Sequence, residues 1–279
     1  MMKTKILSLF LIVFVSIFTF CKKQHDTEPE EEETSSLDNT SNLIKIGETC
    51  ITGANAKALI FAPRNLETGY NSLYIQFIDS TTGNILNEGR STIFAKMNMG
   101  NTSHYAPVEN STDSVATDNY FKSAVVFPMT GNATQWQLLI NYHNNGLAGK
   151  GTLGIQVSTS NPGRFKDLVL ALDSNKQVYM SLVQPELPKV GKNNFEIVLH
   201  QKITDSIYTT INSYSVEIEP EMASMEHGSP FNVNPIFTEK GHYFGRVNFT
   251  MTGAWIVHVR LFKNGTLIST DQIFDMDVH

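Results

Sequence analysis

The sequence predicts an all-β protein whose mature part consists of two tandem immunoglobulin-like β-sandwich modules. Valine, isoleucine, threonine, tyrosine and phenylalanine recur in short segments bounded by Asn-Gly and glycine-rich turns, which is typical of strands. No long stretch shows the 3.6-residue apolar period of an amphipathic helix. The two halves of the chain also repeat one another, and 279 residues with 41% hydrophobic residues suffice to fill real cores.

The internal repeat sets the expected domain organisation. A shift of 122 residues superposes the first half of the chain on the second. The residues that coincide include Pro63 with Pro185, Gly69 with Gly191, and Met129-Thr130-Gly131 with Met251-Thr252-Gly253. We therefore expect module 1 over residues 43–164 and module 2 over residues 165–279, each of a size that suits a two-sheet sandwich. A single closed barrel is the alternative, but each half has its own tryptophan and its own strand segments.

The strands themselves are predicted by alternation of apolar and polar residues. This pattern occurs around residues 73–77, 91–96, 121–127 and 136–142. Asn145-Gly146 and Asn264-Gly265 predict tight hairpins, because asparagine and glycine tolerate the positive φ of such turns. Trp136 and Trp255 are expected to fill the space between the two sheets of each module.

The N-terminus has the layout of a secretory signal peptide over residues 1–20. Two lysines precede an apolar run over residues 6–20, which is short for a membrane span, and Cys21 follows directly. This arrangement resembles the lipobox of bacterial lipoproteins, in which the cysteine after the cleavage site receives the lipid. Phe20 before the cysteine and the two lysines after it leave a retained membrane-anchor helix as an alternative.

Residues 21–42 predict a lipid-anchored acidic linker. This segment has two lysines against seven acidic side chains, a composition that does not bury enough apolar surface to fold. The whole chain has a net charge of −6, and no basic footprint for nucleic acid is present. We expect a cell-envelope lipoprotein, periplasmic or at the outer membrane or cell surface, that contacts the membrane through its N-terminal lipid.

The cysteines predict a fold without an internal disulfide. If Cys21 carries the lipid, Cys50 is the one cysteine left, although the compartment is oxidising. Cys50 falls opposite Leu172 in the repeat, which predicts a small buried apolar side chain. No nucleophile elbow, phosphate loop, His-Glu-x-x-His motif or recognisable pair of catalytic carboxylates is present, so the sequence predicts a protein that is not an enzyme.

A methionine and histidine cluster is the strongest candidate for a chemical site. Met222, Met225 and His227 lie within six residues of each other in a connection between predicted strands of module 2. The spacing Met-x4-His-x2-Pro occurs in both modules, with Met99 and His104 in module 1. Thioether sulfur selects Cu(I) over harder ions, and it needs no deprotonation to bind. The alternative is that these methionines are apolar plugs and the histidines ordinary polar loop residues.

Module 2 resembles the YtkA-like domain, which is related to FixH-type accessory proteins. The residues that carry the resemblance are Pro220, Met222, Met225, His227, Gly228, the segment Gly241-His242-Tyr243-Phe244-Gly245 and the segment Met251-Thr252-Gly253-Ala254-Trp255. The resemblance implies a copper site formed by Met222, Met225 and His227. Module 1 departs from the pattern, so its site at Met99 and His104 is doubtful. Further sulfur ligands are open at Met97, Met129 and Met251.

These observations support two hypotheses about function. In the first, the protein binds a soft metal ion, copper, through the Met/His loop and buffers it or delivers it to a cuproenzyme outside the cytoplasm. In the second, it is a non-metal surface interaction module whose loops or edge strands bind a partner protein or a glycan.

Overall fold

The structure is a computed structural model that describes residues 42–279. The predicted signal peptide, Cys21 and the linker up to residue 41 lie outside the described residues. Thr40–His279 form one compact unit, and this unit contains the apolar cores described below. We therefore expect it to fold without the residues that precede it. Within residues 42–279, no helix has the length and apolar character needed to cross a membrane.

Module 1 consists of ten strands. They are β1 (Ile44–Ile51), β2 (Ala56–Ala62), β3 (Gly69–Asp79), β4 (Ile85–Leu86), β5 (Arg90–Met99), β6 (Thr102–Ala106), β7 (Val108–Glu109), β8 (Phe121–Phe127), β9 (Gly131–Asn144) and β10 (Leu147–Val157). Sheet A has the order β1-β2-β3-β8-β7, with β4 also paired to β3, and sheet B has the order β10-β9-β5-β6. All of the strand pairs in both sheets are antiparallel.

Module 2 repeats this architecture with eleven strands. They are β11 (Phe165–Leu170), β12 (Lys176–Gln184), β13 (Gly191–Lys202), β14 (Tyr208–Thr210), β15 (Ser215–Met222), β16 (His227–Gly228), β17 (Val233–Phe237), β18 (His242–Phe249), β19 (Gly253–Lys263), β20 (Thr266–Leu267) and β21 (Gln272–Val278). Sheet C has the order β11-β12-β13-β18-β17, with β14 on β13. Sheet D has the order β16-β15-β19-β20, with β21 also paired to β19. The strand order of module 1 is thus reproduced.

Each module has its own apolar core between its two sheets. Trp136 is buried in the core of module 1 and Trp255 in that of module 2, so the prediction that both fill the space between sheets is confirmed. The cores arise because alternate residues of every long strand point inward. The all-β sandwich prediction is therefore confirmed, and the single closed barrel is excluded.

The predicted strand segments are also found. Residues 73–77, 91–96 and 136–142 lie within β3, β5 and β9, and residues 121–127 form β8. Asn145 and Gly146 have φ angles of 48° and 79°, and Asn264 and Gly265 have φ angles of 50° and 78°. Both pairs connect adjacent antiparallel strands, as the tight hairpins require.

The prediction that Cys50 is buried is wrong. Its thiol is exposed and free, because the alternation along β1 turns Ile51 inward and Cys50 outward, opposite Lys57. Leu172, its counterpart in the repeat, is exposed as well. The superposition of the two halves thus pairs two exposed residues, Cys50 on the edge strand β1 and Leu172 in the turn after β11, but it does not indicate whether either is buried.

The two modules contact each other through the outer faces of sheets A and C and through β6, the edge strand of sheet B, whose Tyr105 amide donates to the Asp205 carbonyl of module 2. Val126 from β8 packs with Val183 and Val198 from β12 and β13, and these side chains point away from the cores of their own modules. Arg64 of module 1 pairs with Glu186 of module 2 at 2.6 Å. Sheets B and D pack on the inner faces of A and C. Apart from the β6 edge of sheet B, their own outer faces therefore lie on the far sides of the two modules from the packing of sheet A on sheet C.

An asparagine at the start of the third strand is repeated in both modules. The Nδ2 group of Asn71 donates to the carbonyls of Glu67 and Gly69, and its Oδ1 accepts from the Glu67 amide. Asn193 makes the same three hydrogen bonds to Lys189 and Gly191. Each asparagine thus satisfies backbone groups of a turn that passes through a glycine at positive φ.

Replacing either asparagine is expected to destabilise the protein to a similar extent. Asn71→Ala and Asn193→Ala should each lower the free energy of unfolding by about 1–3 kcal/mol, because backbone groups of the turn lose their partners. Urea unfolding of the Thr40–His279 unit measures this change. Asn101→Ala, on an exposed turn, is the control. A loss no larger than that of the control would contradict the assigned role.

Candidate functional site

Met222 and His227 face each other across the hairpin between β15 and β16. Met222 is the last residue of β15, a 3₁₀ turn follows at Ala223–Met225, and β16 begins at His227. The two residues are direct partners in the antiparallel register. Directly opposed residues project from the same face of a sheet, here the inner face, where Met222 is only 3% exposed. The structure therefore brings this methionine and this histidine together.

Trp255 forms the wall next to this pair. The imidazole of His227 meets the indole in an edge arrangement, with ring centroids 5.4 Å apart and an interplanar angle of 89°. The indole N–H donates to the Met251 carbonyl at 3.0 Å. At Gly253 a Cβ atom would lie 3.2 Å from Cε of Met222, so a residue without a side chain makes room for the thioether. We call Met222, His227, Met251, Gly253 and Trp255 the sandwich-end cluster.

The ring nitrogens of His227 are uncommitted. The imidazole is half-buried, and within residues 42–279 neither nitrogen has a hydrogen-bond partner. Met225 lies on the 3₁₀ turn and is 57% exposed, so it is at the solvent side of the hairpin. Met251 is also partly exposed, and its carbonyl contact with Trp255 places it at the same end of the sandwich as His227.

Module 1 contains the same arrangement, with Met97 in place of Met222. Met97 is the direct strand partner of both His104 and Trp136. The indole N–H of Trp136 donates to the Met129 carbonyl at 3.1 Å, and a Cβ at Gly131 would lie 3.0 Å from Cε of Met97. The methionine, histidine, tryptophan and glycine of the sandwich-end cluster thus all have counterparts in module 1.

The alignment of Met99 with Met222 by sequence spacing is therefore corrected. Met99 pairs with Thr102 beside the turn and is 48% exposed. The β5–β6 hairpin continues two residue pairs beyond Met97 and His104, whereas the β15–β16 hairpin turns directly after Met222. A difference of two positions keeps the same face of the strand, so a methionine remains opposite the histidine in both modules.

His104 differs from His227 in its surroundings. Its Nδ1 atom lies 3.2 Å from a carboxylate oxygen of Asp205, which belongs to module 2. The amide of Tyr105 also donates to the Asp205 carbonyl at 2.8 Å. The imidazole of module 1 is therefore partly engaged in the contact between modules, whereas that of module 2 is not.

His242 forms an ionic bridge between the modules that sequence reasoning missed. Its Nδ1 atom lies 2.7 Å from Glu196 of module 2, and its Nε2 atom lies 2.9 Å from Glu109 of module 1. Tyr70 of module 1 packs edge-on against the ring. Burial disfavours the charged ring, but the hydrogen bonds to both carboxylates outweigh this and raise the pKa of His242 to about 9. Glu109 is 133 residues from His242 along the chain, so no local sequence pattern predicts this contact.

Two further histidines have shifted pKa values. His258 lies between Glu221 and Asp271, and these hydrogen bonds raise its pKa against the opposing effect of burial. His200 is buried, and this desolvation lowers its pKa to about 4. Within residues 42–279, no group of three or more His, Cys, Asp or Glu side chains is arranged to hold a metal ion. A metal at the sandwich end would therefore depend on thioether sulfur.

A family model described as YtkA-like matches residues 173–260. This part of module 2 is similar to the YtkA-like domain. The match contains the complete sandwich-end cluster, from Met222 to Trp255, and confirms the resemblance that the sequence carries. It does not extend to module 1, so two tandem YtkA-like copies are not established, although the sandwich itself is repeated.

Several solved structures show a distant likeness to the chain. A chain of the Escherichia coli adhesin FdeC has 14% identity and a TM-score of 0.27, covering 82% of this chain and 66% of that one. A chimeric titin Z1Z2 has 9% identity and a TM-score of 0.23, covering 85% and 99%. Domains 5-6 of the S-layer protein SbsC have 10% identity and a TM-score of 0.25, covering 85% and 97%. None of the curated proteins matches the chain.

The His242 bridge is expected to make stability depend on pH. A folded-state pKa near 9, above the ordinary value of 6.5, means that the stabilisation is fully present below pH 6.5 and is lost as the pH rises through 9. The difference in unfolding free energy between the wild type and His242→Gln should therefore shrink by about 2–3 kcal/mol between pH 6 and pH 10. Urea unfolding at both pH values measures it. An unchanged difference would contradict the bridge.

Proposed function

We propose that this chain is a cell-envelope lipoprotein, anchored through Cys21, whose YtkA-like domain binds a soft metal ion, copper as Cu(I). The observation that carries the proposal is the uncommitted imidazole of His227 directly opposite the buried thioether of Met222. The protein would buffer the metal or deliver it to a cuproenzyme outside the cytoplasm.

The donor set fits Cu(I) better than other ions. Thioether sulfur is soft and neutral, and imidazole suits copper without requiring a thiolate. Hard ions such as Ca²⁺ and Mg²⁺ take oxygen ligands, and no group of carboxylates with a metal-binding arrangement is found in the described part of the chain. Methionine also suits an oxidising compartment, where an exposed pair of cysteines would form a disulfide.

Each residue at the sandwich end has a distinct proposed role. Met222 and His227 supply the first sulfur and the nitrogen, and the exposed Met225 on the turn supplies a second sulfur from the solvent side. Met251 is the further sulfur at this end. Trp255 excludes water from one side of the pair, which favours a weakly hydrated monovalent ion over a strongly hydrated divalent one.

Module 1 offers a second, weaker site at Met97 and His104. The same neighbours, Trp136 and Met129, surround it. We expect lower affinity because the Nδ1 atom of His104 already contacts Asp205. Met99 is displaced to the exposed end of the hairpin and could add a sulfur only from outside, as Met225 does in module 2.

Removing the sulfur or the imidazole is expected to weaken Cu(I) binding. Met222→Leu conserves side-chain volume and His227→Gln keeps a polar side chain, so the fold should persist. Each should lower the Cu(I) affinity of the Thr40–His279 unit by about tenfold or more, because one ligand is lost. Competition against a chromophoric Cu(I) chelator measures this. Met180→Leu and His143→Gln are the matched controls, because both residues lie outside the sandwich-end cluster and outside its counterpart in module 1.

The same titration contains the result that would end the proposal. The triple variant Met222→Ala, Met225→Ala, His227→Ala should lose the tighter site and leave the weaker one of module 1. The protein contains two tryptophans, Trp136 in module 1 and Trp255 in the sandwich-end cluster of module 2. In the Trp136→Phe variant, tryptophan fluorescence therefore reports Cu(I) binding near Trp255 alone. Unchanged Cu(I) affinity in the folded triple variant would refute the site.

The lipid anchor is tested separately from the metal. In the full chain, Cys21→Ala should abolish incorporation of labelled fatty acid and release the protein from the membrane fraction. Cys50→Ala, which removes the other cysteine, should leave labelling unchanged. Labelling that persists in the Cys21→Ala variant would show that the proposed anchor is wrong.

A further inference from the structure

Sheets B and D occupy equivalent places in the two modules but carry opposite charge. The four strands of sheet B contain no aspartate or glutamate, and their charged residues are Arg90, Lys96 and Lys150. The strands of sheet D contain Glu217, Glu219, Glu221, Asp275 and Asp277. All of these side chains point outward, because the alternate residues of the same strands form the cores.

The outer face of sheet B, which we call the basic face, leaves its cations unpaired. Within residues 42–279, the side chains of Arg90, Lys96 and Lys150 make no ion pair. Arg90 and Lys150 line an open cleft of about 620 Å³. Phe94 lies on the same face and is 47% exposed. The basic face is therefore a positively charged surface with an exposed aromatic side chain, in a protein whose net charge is −6.

The outer face of sheet D, which we call the acidic face, has an excess of carboxylates. Its two basic side chains are already engaged, since Arg260 pairs with Glu219 at 2.9 Å and His258 with Glu221 at 2.9 Å. Glu217 and Asp275 are exposed and have no ion-pair partner in the described part of the chain. Ile273, near the start of the edge strand β21, is exposed on this face as well.

The two faces are built in the same way. Each is the outer surface of the second sheet of its own sandwich, and each carries an exposed apolar side chain among its charges, a combination found in protein interfaces. Apart from the β6 edge of sheet B, they lie on opposite sides of the two modules, because sheets A and C pack against each other between them. One copy therefore cannot satisfy its own faces by bringing them together.

We propose that the basic face of one copy binds the acidic face of the next, so that the protein associates head to tail. A contact between two different faces is heterologous, so further copies add to each end and form open chains, or a ring where the rotation between copies closes. Strands about 4.8 Å apart give each face a width of about 19 Å, and the contact would bury roughly 1,000 Å² in total, which is typical of weak association. The inference is independent of metal binding.

Sedimentation velocity of the Thr40–His279 unit tests the proposal. The weight-average mass should rise with concentration from about 10 µM to about 1 mM, as expected for a weak contact. It should fall to that of the monomer when NaCl is raised from about 0.05 M to about 0.5 M, because the charges are solvent-exposed and become screened. A monomer throughout this range at low salt would overturn the proposal.

Charge reversal identifies the faces. Arg90→Glu with Lys150→Glu, and separately Glu217→Lys with Asp275→Lys, should each abolish self-association. An equimolar mixture of these two double variants should associate again, because each reversed face then finds a complementary one. Lys192→Glu with Arg246→Glu, an equal charge change at exposed positions of sheet C, should associate as the wild type does. Association that survives either reversal, or a mixture that stays monomeric, would overturn the assignment.

A competing occupant of the basic face is an acidic polysaccharide. Titration with polygalacturonate as the probe separates the two cases. Tight binding that depends on Arg90 and Lys150, together with a wild-type protein that remains monomeric at low salt, would assign the face to a glycan and overturn self-association. Absence of polysaccharide binding, together with restored association in the mixture, supports the proposal.

Discussion

The arrangement of side chains in the sandwich-end cluster of module 2 depends on the indole of Trp255. A buried indole has one N–H donor that needs an acceptor, and the Met251 carbonyl provides it, which fixes the turn between β18 and β19. The same turn passes through Gly253, whose missing side chain leaves space for the methyl group of Met222. With the ring held in this position, His227 on the neighbouring edge strand packs against it. One hydrogen bond thus positions a sulfur and an imidazole together.

Module 1 shows that this end is a property of the sandwich. Trp136, Met129, Gly131 and Met97 reproduce the contacts one by one, although the hairpin that carries His104 is longer. The two modules differ in their surface contacts and surface charge. His104 contacts the neighbouring module, the faces of sheets B and D carry opposite charge, and His242 joins the modules through carboxylates from both. The contacts at the sandwich end are therefore common to both modules, whereas their surfaces differ.

The sequence predicted strands, hairpins and the repeat because these depend on neighbours within a few residues. The alternation of apolar and polar residues and the Asn-Gly pairs are local patterns, so they could be recognised in the sequence. Met99 was aligned with Met222 because spacing along the chain ignores hairpin length, and only the register shows that Met97 is opposite His104. Cys50 was misplaced for a similar reason, since the face of an edge strand depends on what packs against it.

By itself the sequence determined that the chain forms two β-sandwiches, that its second half resembles the YtkA-like domain, and that methionines lie near a histidine along the chain. Those properties follow from composition, periodicity and short motifs, which require no knowledge of distant contacts. The tertiary structure alone decided that Met251 shares an end with His227, that His242 bridges two modules, and that the charged faces lie on opposite sides. Each of these depends on pairing between residues far apart in the chain, and the physical forces that select such pairs act only after the sheets have packed.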